Sequence, residues 1–487
     1  MYPPANSASV TRAGLAPAAG AAPRMALAAG ELTVLRWLVP LALLHGLLYL
    51  VLLPPWQHYD ETAHFLYAAE VAAGELEAPG PASVALRREI AASMYRFRFY
   101  PPGFRPDLVS PQPPEVGINQ RVHPPLYYAL VALPLRPLGA LSVEVQLYAA
   151  RAVSLALYAL TIVAAWRVAV ALAPDEPAVQ WAIPLLVLLA PAFADIMAAV
   201  NNDVLLNFSL TVALLGAVLL VRDGPRPLPL ALAGLGLLVA VLTKRTALVA
   251  TIPLALALFW ALYRRPMRWW TLPLIALGAA AGLGLAILEP AVATGPSGDH
   301  VVLAVRPWFA DLSQRYLRVS LDELVRSLSD PTLVGDRYRA LVAVAFAGYY
   351  GHFAWGGLAV HPAWTAALAA LALVATGGLL AGRVGARDRL PLWQRRALWV
   401  FLAAVVVAWV SIFIRLHPLP PLNQPVYIPR GRYMFWTMVP TLWLLALGLA
   451  WAAPGRWRPY APAALVIFFV CLDLAALLWT VVGHYYR

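Results

Sequence analysis

Two carboxylates and two histidines crowd into residues 56–65 of this 487-residue chain, directly after an apolar run long enough to cross a bilayer. They are His58, Asp60, Glu61 and His64. An acid at the C-terminal end of a helix opposes the helix dipole, so a purely stabilising role is disfavoured. A carboxylate partly removed from water at a membrane surface has a pKa suited to accepting a proton from a hydroxyl, or it can bind a metal. We therefore predict Asp60 as the catalytic residue, supported by Glu61, with a solvated helix end as the alternative.

A second polar group, Asn201-Asn202-Asp203, interrupts the apolar runs in mid-chain. Carboxylate and amide oxygens are the ligands that Mg²⁺, Mn²⁺ and Ca²⁺ prefer. Asn and Asp are also favoured caps of helix N-termini, and an apolar run begins at Val204. The pattern predicts a divalent-metal site with Asp60 and Asp203 as tentative ligands, or a helix cap, or both.

Three cations lie at the boundaries of apolar runs. Lys244 is the only lysine of the chain; Arg245 follows it, and Arg432 precedes a late apolar run. Such cations at headgroup depth suit a phosphate presented by a lipid. The alternative is that they reach toward ordinary headgroups without a specific ligand. We predict a phosphate-binding role for all three.

One further segment carries candidate site-lining residues. His123 is followed by two prolines, which are tolerated where a helix begins, and then by Leu126–Leu138, which contains Tyr127. The His123 imidazole can bind phosphate, bind metal or cap the helix. We predict that His123, Tyr127 and His64 line the site or contact the acceptor of a reaction there.

Composition places these groups in a membrane protein. Hydrophobic residues make up 61% of the chain and charged residues 12%, about half the share that soluble domains carry, and the mean hydropathy is +0.70. The net charge of +12 is better explained by arginines in cytoplasmic loops than by nucleic-acid binding. The single cysteine, Cys471, excludes an intramolecular disulfide, and no zinc, P-loop or dinucleotide motif is present.

The apolar runs predict an all-α polytopic fold of about eleven transmembrane helices. They fall at 33–53, 147–170, 178–198, 203–221, 228–242, 246–263, 269–289, 361–381, 397–415, 433–453 and 461–482. Most reach the ~20 residues that a tilted helix needs. Residues 1–30 predict a disordered cytoplasmic tail, and 31–487 a single transmembrane domain.

The distribution of arginine orients this bundle. With a cytoplasmic N-terminus, the short basic loops, including the one that ends at Arg395 and Arg396, fall inside. The long segments 54–146, 290–360 and 416–432 then fall outside, provided that Leu126–Leu138 lies along the outer surface. All the candidate site residues gather on the outer face. Charge is otherwise expected mainly at the ends of the spans.

These motifs, taken in order, resemble the GT-C superfamily of polytopic glycosyltransferases, near the bacterial relatives of protein O-mannosyltransferases and lipid A aminoarabinose transferases. The narrower likeness is to a bacterial membrane family whose first outer loop reads Pro-Pro-Asp-Glu-x-Ala-His-Phe. Here Tyr59 replaces the second proline. The matching segments are 60–65, 123–128, 201–203, 243–246 and 431–433.

The resemblance implies a polyprenyl-phosphate-linked sugar as donor, used on the periplasmic or external face of a bacterial inner membrane. It implies that Asp60 deprotonates the acceptor hydroxyl or helps to hold a metal. Lys244 and Arg432 would hold the lipid phosphate, which departs as the anomeric carbon inverts. Asp203 corresponds to a second acid of several branches. Some members use Mg²⁺ or Mn²⁺ and others use none.

Our leading hypothesis is therefore a glycosyltransferase acting on a lipid, glycan or protein acceptor. A lipid or glycan transporter with the same groups as a headgroup site is the alternative. Transporters favour charge buried at the membrane midplane and repeated halves, and neither is evident in the sequence. A scaffold of an envelope complex explains the aromatic residues but not the acidic pair.

Overall fold

The computed structural model describes residues 29–75, 80–117, 120–264, 290–294, 301–305, 339–385, 390–415 and 430–487. Most of these residues are helical, which confirms the all-α prediction. Most of the predicted tail, the predicted span 269–289, and large parts of the predicted outer loops 290–360 and 416–432 lie outside the described residues.

The helices share long apolar sequences broken by proline, glycine or polar turns. Their bounds are α1 Ala29–Leu52, α2 Glu61–Ala72, α3 Pro81–Arg96, α4 Leu126–Leu138, α5 Val143–Leu172, α6 Pro177–Leu188, α7 Pro191–Ala198, α8 Asp203–Asp223, α9 Pro227–Thr243, α10 Thr251–Arg264, α11 Arg339–Gly351, α12 Pro362–Gly385, α13 Leu392–Arg415, α14 Met438–Ala452, α15 Ala461–Ala475 and α16 Val482–Tyr485. Short 3₁₀ turns, Arg245–Ala250, Gly431–Thr437 and Gly455–Tyr460, lead into α10, α14 and α15, and a π-helical turn, Ala476–Val481, joins α15 to α16.

Two small antiparallel strand pairs complete the described residues. β1 (Pro290–Thr294) pairs with β2 (Val301–Val305), with Val292 opposite Leu303. β3 (His352–Phe353) pairs with β4 (Leu358–Ala359) directly after α11.

Eight helical segments of the described residues are long and apolar enough to cross a membrane. The pair α6 and α7, bent by 63°, makes a ninth if it is one broken span. The chain is thus a multi-pass membrane protein. The number eleven stays a prediction, because the run at 228–242 forms α9, of only 17 residues, and the run at 269–289 is not described.

The bend between α6 and α7 has a local cause. Pro191 begins α7 and has no backbone N–H to continue the ladder from α6, and proline also disfavours a helical conformation at the preceding Ala190, which is extended. α7 then ends at an extended Ala199. The break carries the Val200–Asp203 turn into the protein interior, where Val200 and Asp203 are both buried.

Close packing of α8 on α9 aligns two parts of the candidate site. A Cβ atom on Gly236 of α9 would lie 2.7 Å from the carbonyl oxygen of Ser209 in α8, so only glycine permits this approach. The antiparallel pair therefore places the start of α8 beside the end of α9. Asp203 and Lys244 occupy those two ends.

Four helix termini meet at one end of the bundle, which we call the site end. They are the C-terminus of α1, the N-terminus of α8, the C-terminus of α9 and the 3₁₀ turn before α14. The predicted topology also places these termini on one side of the membrane, and that topology stays a prediction. Which side of the cell that is stays a prediction.

The predicted surface segment forms α4, with the bounds Leu126–Leu138. It has 13 residues, which is too short to span a bilayer. α4 packs on α2 and α5 and buries Tyr127 and Tyr128. It thereby covers the site end.

Candidate active site

Two ion pairs form the centre of the site end. Asp60 pairs with Arg432, and Asp203 pairs with Lys244. The side chains are 18%, 10%, 2% and 10% exposed, respectively, so Asp60 is the most accessible and Asp203 the most enclosed. These four residues, which we call the four-charge cluster, come from four separate parts of the sequence.

One aromatic ring connects the two pairs. The ring centre of Tyr433 lies 5.7 Å from the Lys244 ammonium nitrogen and 5.5 Å from the Arg432 guanidinium carbon. Both cations therefore lie within cation–π distance of one ring. The structure brings together Asp60, Asp203, Lys244 and Arg432, the residues that the sequence predicted on one face.

Asp60 has a backbone conformation that few non-glycine residues adopt. Its φ of 53° and ψ of 13° lie in the left-handed region, and Trp56 in the same loop has φ 74°. Asp tolerates this region better than most residues, yet such conformations persist only where surrounding contacts enforce them. The loop holds the Asp60 carboxylate toward Arg432 at the N-terminus of α2.

The pKa of Asp60 follows from its surroundings. Burial alone would raise the pKa, but the adjacent Arg432 guanidinium and its hydrogen bond outweigh burial, and Lys244 adds to their effect. The pKa of Asp60 therefore lies below the ordinary aspartate value. This differs from the expectation that desolvation would set it, and Asp60 is a carboxylate at neutral pH.

Glu61, the neighbouring acid, lies in a sealed environment. Its two oxygens accept hydrogen bonds from Arg151, Nε at 2.8 Å and Nη2 at 2.6 Å. They also accept the backbone N–H groups of Trp56 at 3.1 Å and Val200 at 3.3 Å. The carboxylate is thus engaged on both oxygens and has no exposed surface. These contacts favour a positioning role, and the predicted catalytic role of Glu61 stays a prediction.

Arg151 extends the same clamp to α1. Its Nη1 donates to the carbonyls of Leu50 at 2.7 Å and Leu53 at 3.0 Å, and its Nη2 donates to that of Pro54 at 3.2 Å. The Leu50 carbonyl lies in the last turn of α1 and the other two lie just beyond the helix, so none has a partner within it. The Glu61–Arg151 pair therefore fixes the end of α1, the Asp60 loop and the turn before Asp203 relative to one another.

The Asn201-Asn202-Asp203 turn is held by hydrogen bonds of the Asn201 side chain. Asn201 Oδ1 accepts the backbone N–H of Asp203 at 2.9 Å, and its Nδ2 donates to the Tyr59 carbonyl at 3.0 Å. This is an Asx turn that leads into α8 and is fastened to the Asp60 loop, whereas Asn202, the N-cap residue of α8, makes no side-chain cap hydrogen bond. In the described part of the chain, Asp203 Oδ2 and both amide atoms of Asn202 are buried without a hydrogen-bond partner.

A divalent metal fits this cluster poorly. The described residues contain no group of three or more His, Cys, Asp and Glu side chains arranged to share an ion. Asp60 and Asp203, the predicted ligands, are each neutralised by a protein cation. A divalent ion would have to bind beside two positive side chains, which would repel it.

The predicted lining residues form one wall of the site. His64 Nδ1 is 2.8 Å from the Tyr128 hydroxyl, and the His64 ring stacks on His123 with 6.5 Å between ring centres. Burial lowers the pKa of His64 to about 3, so its ring is neutral. The Tyr127 hydroxyl lies 3.0 Å from Ser154 Oγ and accepts the backbone N–H of Asn201 at 2.8 Å. Tyr127 therefore braces the Asn201 turn, and His64 lies against Asp60.

Arg245 is placed beside the cluster. It opens the 3₁₀ turn that follows Lys244 and is half-buried. The residue before Arg245, Lys244, pairs with the Asp203 carboxylate of the cluster.

Arg430 is a site residue that sequence reasoning missed. Its guanidinium carbon lies 5.5 Å from the ring centre of Tyr59, and that of Arg432 lies 4.8 Å from the same ring. Burial, opposed by these arginines, raises the pKa of the Tyr59 hydroxyl to about 12. The Arg-Gly-Arg spacing at 430–432 was visible in the sequence.

Sequence reasoning also missed buried ionisable side chains within the helical bundle. Arg151 lies within α5. His58 Nδ1 is 2.5 Å from Asp195 Oδ1, with both side chains fully buried. His45 Nε2 is 2.9 Å from Asp473 Oδ2, which joins the first and last spans. These groups are exceptions to the expectation that charge lies mainly at span ends, and the signal was a lone ionisable residue within each apolar run.

Comparisons with protein-family models, with curated proteins and with solved structures give no match to this chain.

Proposed function

We propose that the protein is an inverting glycosyltransferase that moves a sugar from a polyprenyl-phosphate donor to a hydroxyl acceptor at the site end. The observation that carries this proposal is the four-charge cluster, which places a partly accessible carboxylate, Asp60, beside two cations at the end of apolar helices. A lipid-borne phosphate reaches this depth without leaving the membrane.

The cations suit the leaving phosphate. Arg432 uses Nη2 for Asp60, while its buried Nε and Nη1 have no hydrogen-bond partner among the described residues. A guanidinium with two unused N–H edges is a good donor to phosphate oxygens. Arg432 can bind the donor while it retains Asp60.

The charge change of the reaction explains the second cation. The bond between the anomeric carbon and the phosphate oxygen breaks, and the lipid phosphate gains one negative charge. Lys244, buried against Asp203 beneath the same ring as Arg432, stabilises that developing charge. Preorganised charges in a site of low polarity are most effective for this purpose.

Asp60 acts on the acceptor. It accepts the hydroxyl proton as the acceptor oxygen bonds to the anomeric carbon from the face opposite the phosphate. Its lowered pKa keeps it ionised and ready, and also makes it a weak base. Proton transfer therefore occurs late, once bond formation has made the hydroxyl acidic.

The surrounding hydrogen bonds supply the rigidity that such a site needs. Glu61 and Arg151 tie the Asp60 loop to Val200, and Asn201 ties the same loop to the start of α8. A displacement of about 1 Å between reacting groups can lower a rate about a hundredfold. These hydrogen bonds therefore fix the Asp60 loop relative to the start of α8.

The test uses purified protein with a polyprenyl-phosphate sugar and a panel of lipid and glycan acceptors. We expect transfer of the sugar by the wild type and loss of transfer in Asp60→Asn. Asp107→Asn, in the same segment of the chain but fully exposed, is the matched control and should keep full activity. Full turnover by Asp60→Asn would exclude the role assigned to that carboxylate.

The buried pairs His58–Asp195 and His45–Asp473 support a second candidate, a lipid or glycan transporter. Ionisable groups inside spans commonly mark translocation paths. Proteoliposomes that flip a labelled polyprenyl-phosphate lipid without sugar transfer would favour the transporter over the transferase.

A further inference from the structure

An apolar groove lies at the end of the bundle far from the four-charge cluster. It has a volume of about 440 Å³, and its walls include Trp260, Trp399 and Trp451. Trp260 is 16 residues beyond Lys244, and Trp451 is 19 residues beyond Arg432, along helices that start at the site end. At 1.5 Å per α-helical residue, and slightly more through the 3₁₀ turns, these separations are at least about 24 and 28 Å, close to the thickness of the hydrocarbon core. The groove therefore opens near the opposite membrane face.

Two adjacent arginines, Arg395 and Arg396, line the groove at the start of α13. The Nε of Arg395 is buried and has no hydrogen-bond partner among the described residues. The guanidinium carbon of Arg396 is 5.9 Å from the ring centre of Tyr263. An apolar groove that ends at guanidinium groups is complementary to an anionic lipid, which has a hydrocarbon chain and a negatively charged headgroup at its end.

A second groove of about 270 Å³ runs beside the first, and Leu390 and Leu398 line both. Its other walls are mostly apolar and include Ile183 and Trp443. Two neighbouring apolar grooves that share one wall match the two acyl chains of a phospholipid.

We propose that this paired groove binds one anionic phospholipid, with its phosphate on Arg395 and Arg396 and one acyl chain in each groove. The charge of the arginines selects an anionic headgroup, and the grooves select a lipid over a soluble phosphate. Arginine forms bidentate hydrogen bonds to phosphate oxygens, which distinguishes this contact from loose attraction to a charged surface. The binding is independent of the sugar transfer proposed above, because it uses no residue of the four-charge cluster.

Native mass spectrometry of the full-length protein in detergent tests this, with phosphatidylglycerol, phosphatidylcholine and glycerol 3-phosphate as probes. The wild type should retain one phosphatidylglycerol, and its affinity for phosphatidylcholine should be lower by about tenfold or more. Arg395→Gln with Arg396→Gln should weaken phosphatidylglycerol binding by about tenfold, since the charge-assisted hydrogen bonds are lost.

A matched control removes the same charge elsewhere. Arg226 and Arg456 are exposed at the same end of the bundle outside both grooves. The Arg226→Gln and Arg456→Gln double variant should bind phosphatidylglycerol as the wild type does. A separate variant, Leu380→Trp, adds bulk to an exposed side chain of the groove wall and should weaken lipid binding without removing charge.

Three outcomes would overturn the proposal. Equal affinity for phosphatidylcholine would show that charge does not select the lipid. Equal weakening by the control double variant would show attraction to the whole basic face. Displacement of the lipid by glycerol 3-phosphate at similar concentration would show a phosphate site without acyl recognition.

Discussion

The adjacent acids Asp60 and Glu61, at the start of α2, each pair with an arginine, but the two pairs differ in how many of their hydrogen-bonding groups have a partner. Glu61 and Arg151 are fully buried, and the guanidinium is engaged through all three of its nitrogens, by Glu61 and by carbonyls at the end of α1. Asp60 and Arg432 are partly accessible, and the guanidinium keeps two buried N–H edges without a partner in the described residues. The Glu61–Arg151 pair, which we call the saturated pair, has no N–H group left to donate to a ligand. The Asp60–Arg432 pair, which we call the unsaturated pair, has such groups, so adjacency in sequence says little about role.

The largest expected effect is the loss of protein stability when the saturated pair is broken. Arg151→Ala leaves the Glu61 carboxylate buried without its partner, and such losses cost about 3–5 kcal/mol. We expect a large drop in the melting temperature of the detergent-solubilised protein. Asp60→Asn, measured in parallel, should lower it less, because the pair is partly accessible and the amide oxygen still accepts a hydrogen bond from Arg432.

The saturated pair also allows a compensating change. Replacing both partners with apolar residues, Glu61→Leu with Arg151→Met, removes the unpaired charge and should recover part of the stability lost by Arg151→Ala. A double variant as unstable as Arg151→Ala would show that the hydrogen bonds to α1, rather than the ion pair, hold the loop.

At the unsaturated pair we expect the effect on activity instead. Asp60→Asn should lower the transfer rate by about 10²–10⁴-fold, the usual contribution of a general base. A single-turnover assay with excess donor separates this loss from weaker donor binding. A rise in KM with unchanged kcat would show that Asp60 binds substrate and does not transfer the proton.

The pH dependence of transfer sharpens the same point. Because Arg432 depresses the pKa of Asp60, the active carboxylate is present above the depressed value, and activity is lost only as pH falls below the ordinary aspartate range. Arg432→Gln removes the cause, so the acidic limb of kcat against pH should move upward. An unmoved limb would mean that another group titrates.

The neutral His64 gives a further prediction from the same profile. Burial holds its pKa at about 3, so kcat should show no inflection near 6.5. An inflection there that disappears in His64→Gln would contradict the burial of this ring.

The smallest expected effect lies on the site wall. Tyr128→Phe removes the hydroxyl that lies 2.8 Å from His64 Nδ1, and the loss of one such hydrogen bond changes stability by about 1 kcal/mol. Activity should fall only modestly, because neither group belongs to the four-charge cluster. A thermal shift assay and the transfer rate together measure this.

The far end of the bundle was less visible in the sequence than the site end. The motif residues stood out because polar groups interrupt apolar runs, and proline, glycine and asparagine mark where helices end. The groove walls are tryptophan and leucine inside ordinary spans, which no local pattern separates from lipid-facing positions. Arg395 and Arg396 were recognised only as part of a basic cytoplasmic loop.

Sequence alone determined that the chain is helical and crosses a membrane many times, because apolar runs of span length have no other stable arrangement in a bilayer. It also determined which residues interrupt those runs, and thus that Asp60, Asp203, Lys244 and Arg432 lie at helix ends. Only the tertiary structure decided which acid faces which cation, because that depends on the packing of α8 on α9 and on the left-handed turn at Asp60. Hydrogen bonds to carbonyls of a distant helix, such as those of Arg151, leave no trace in local spacing. For that reason the sequence could favour Asp60 over Glu61 but could not show that Arg151 engages the Glu61 carboxylate on both oxygens.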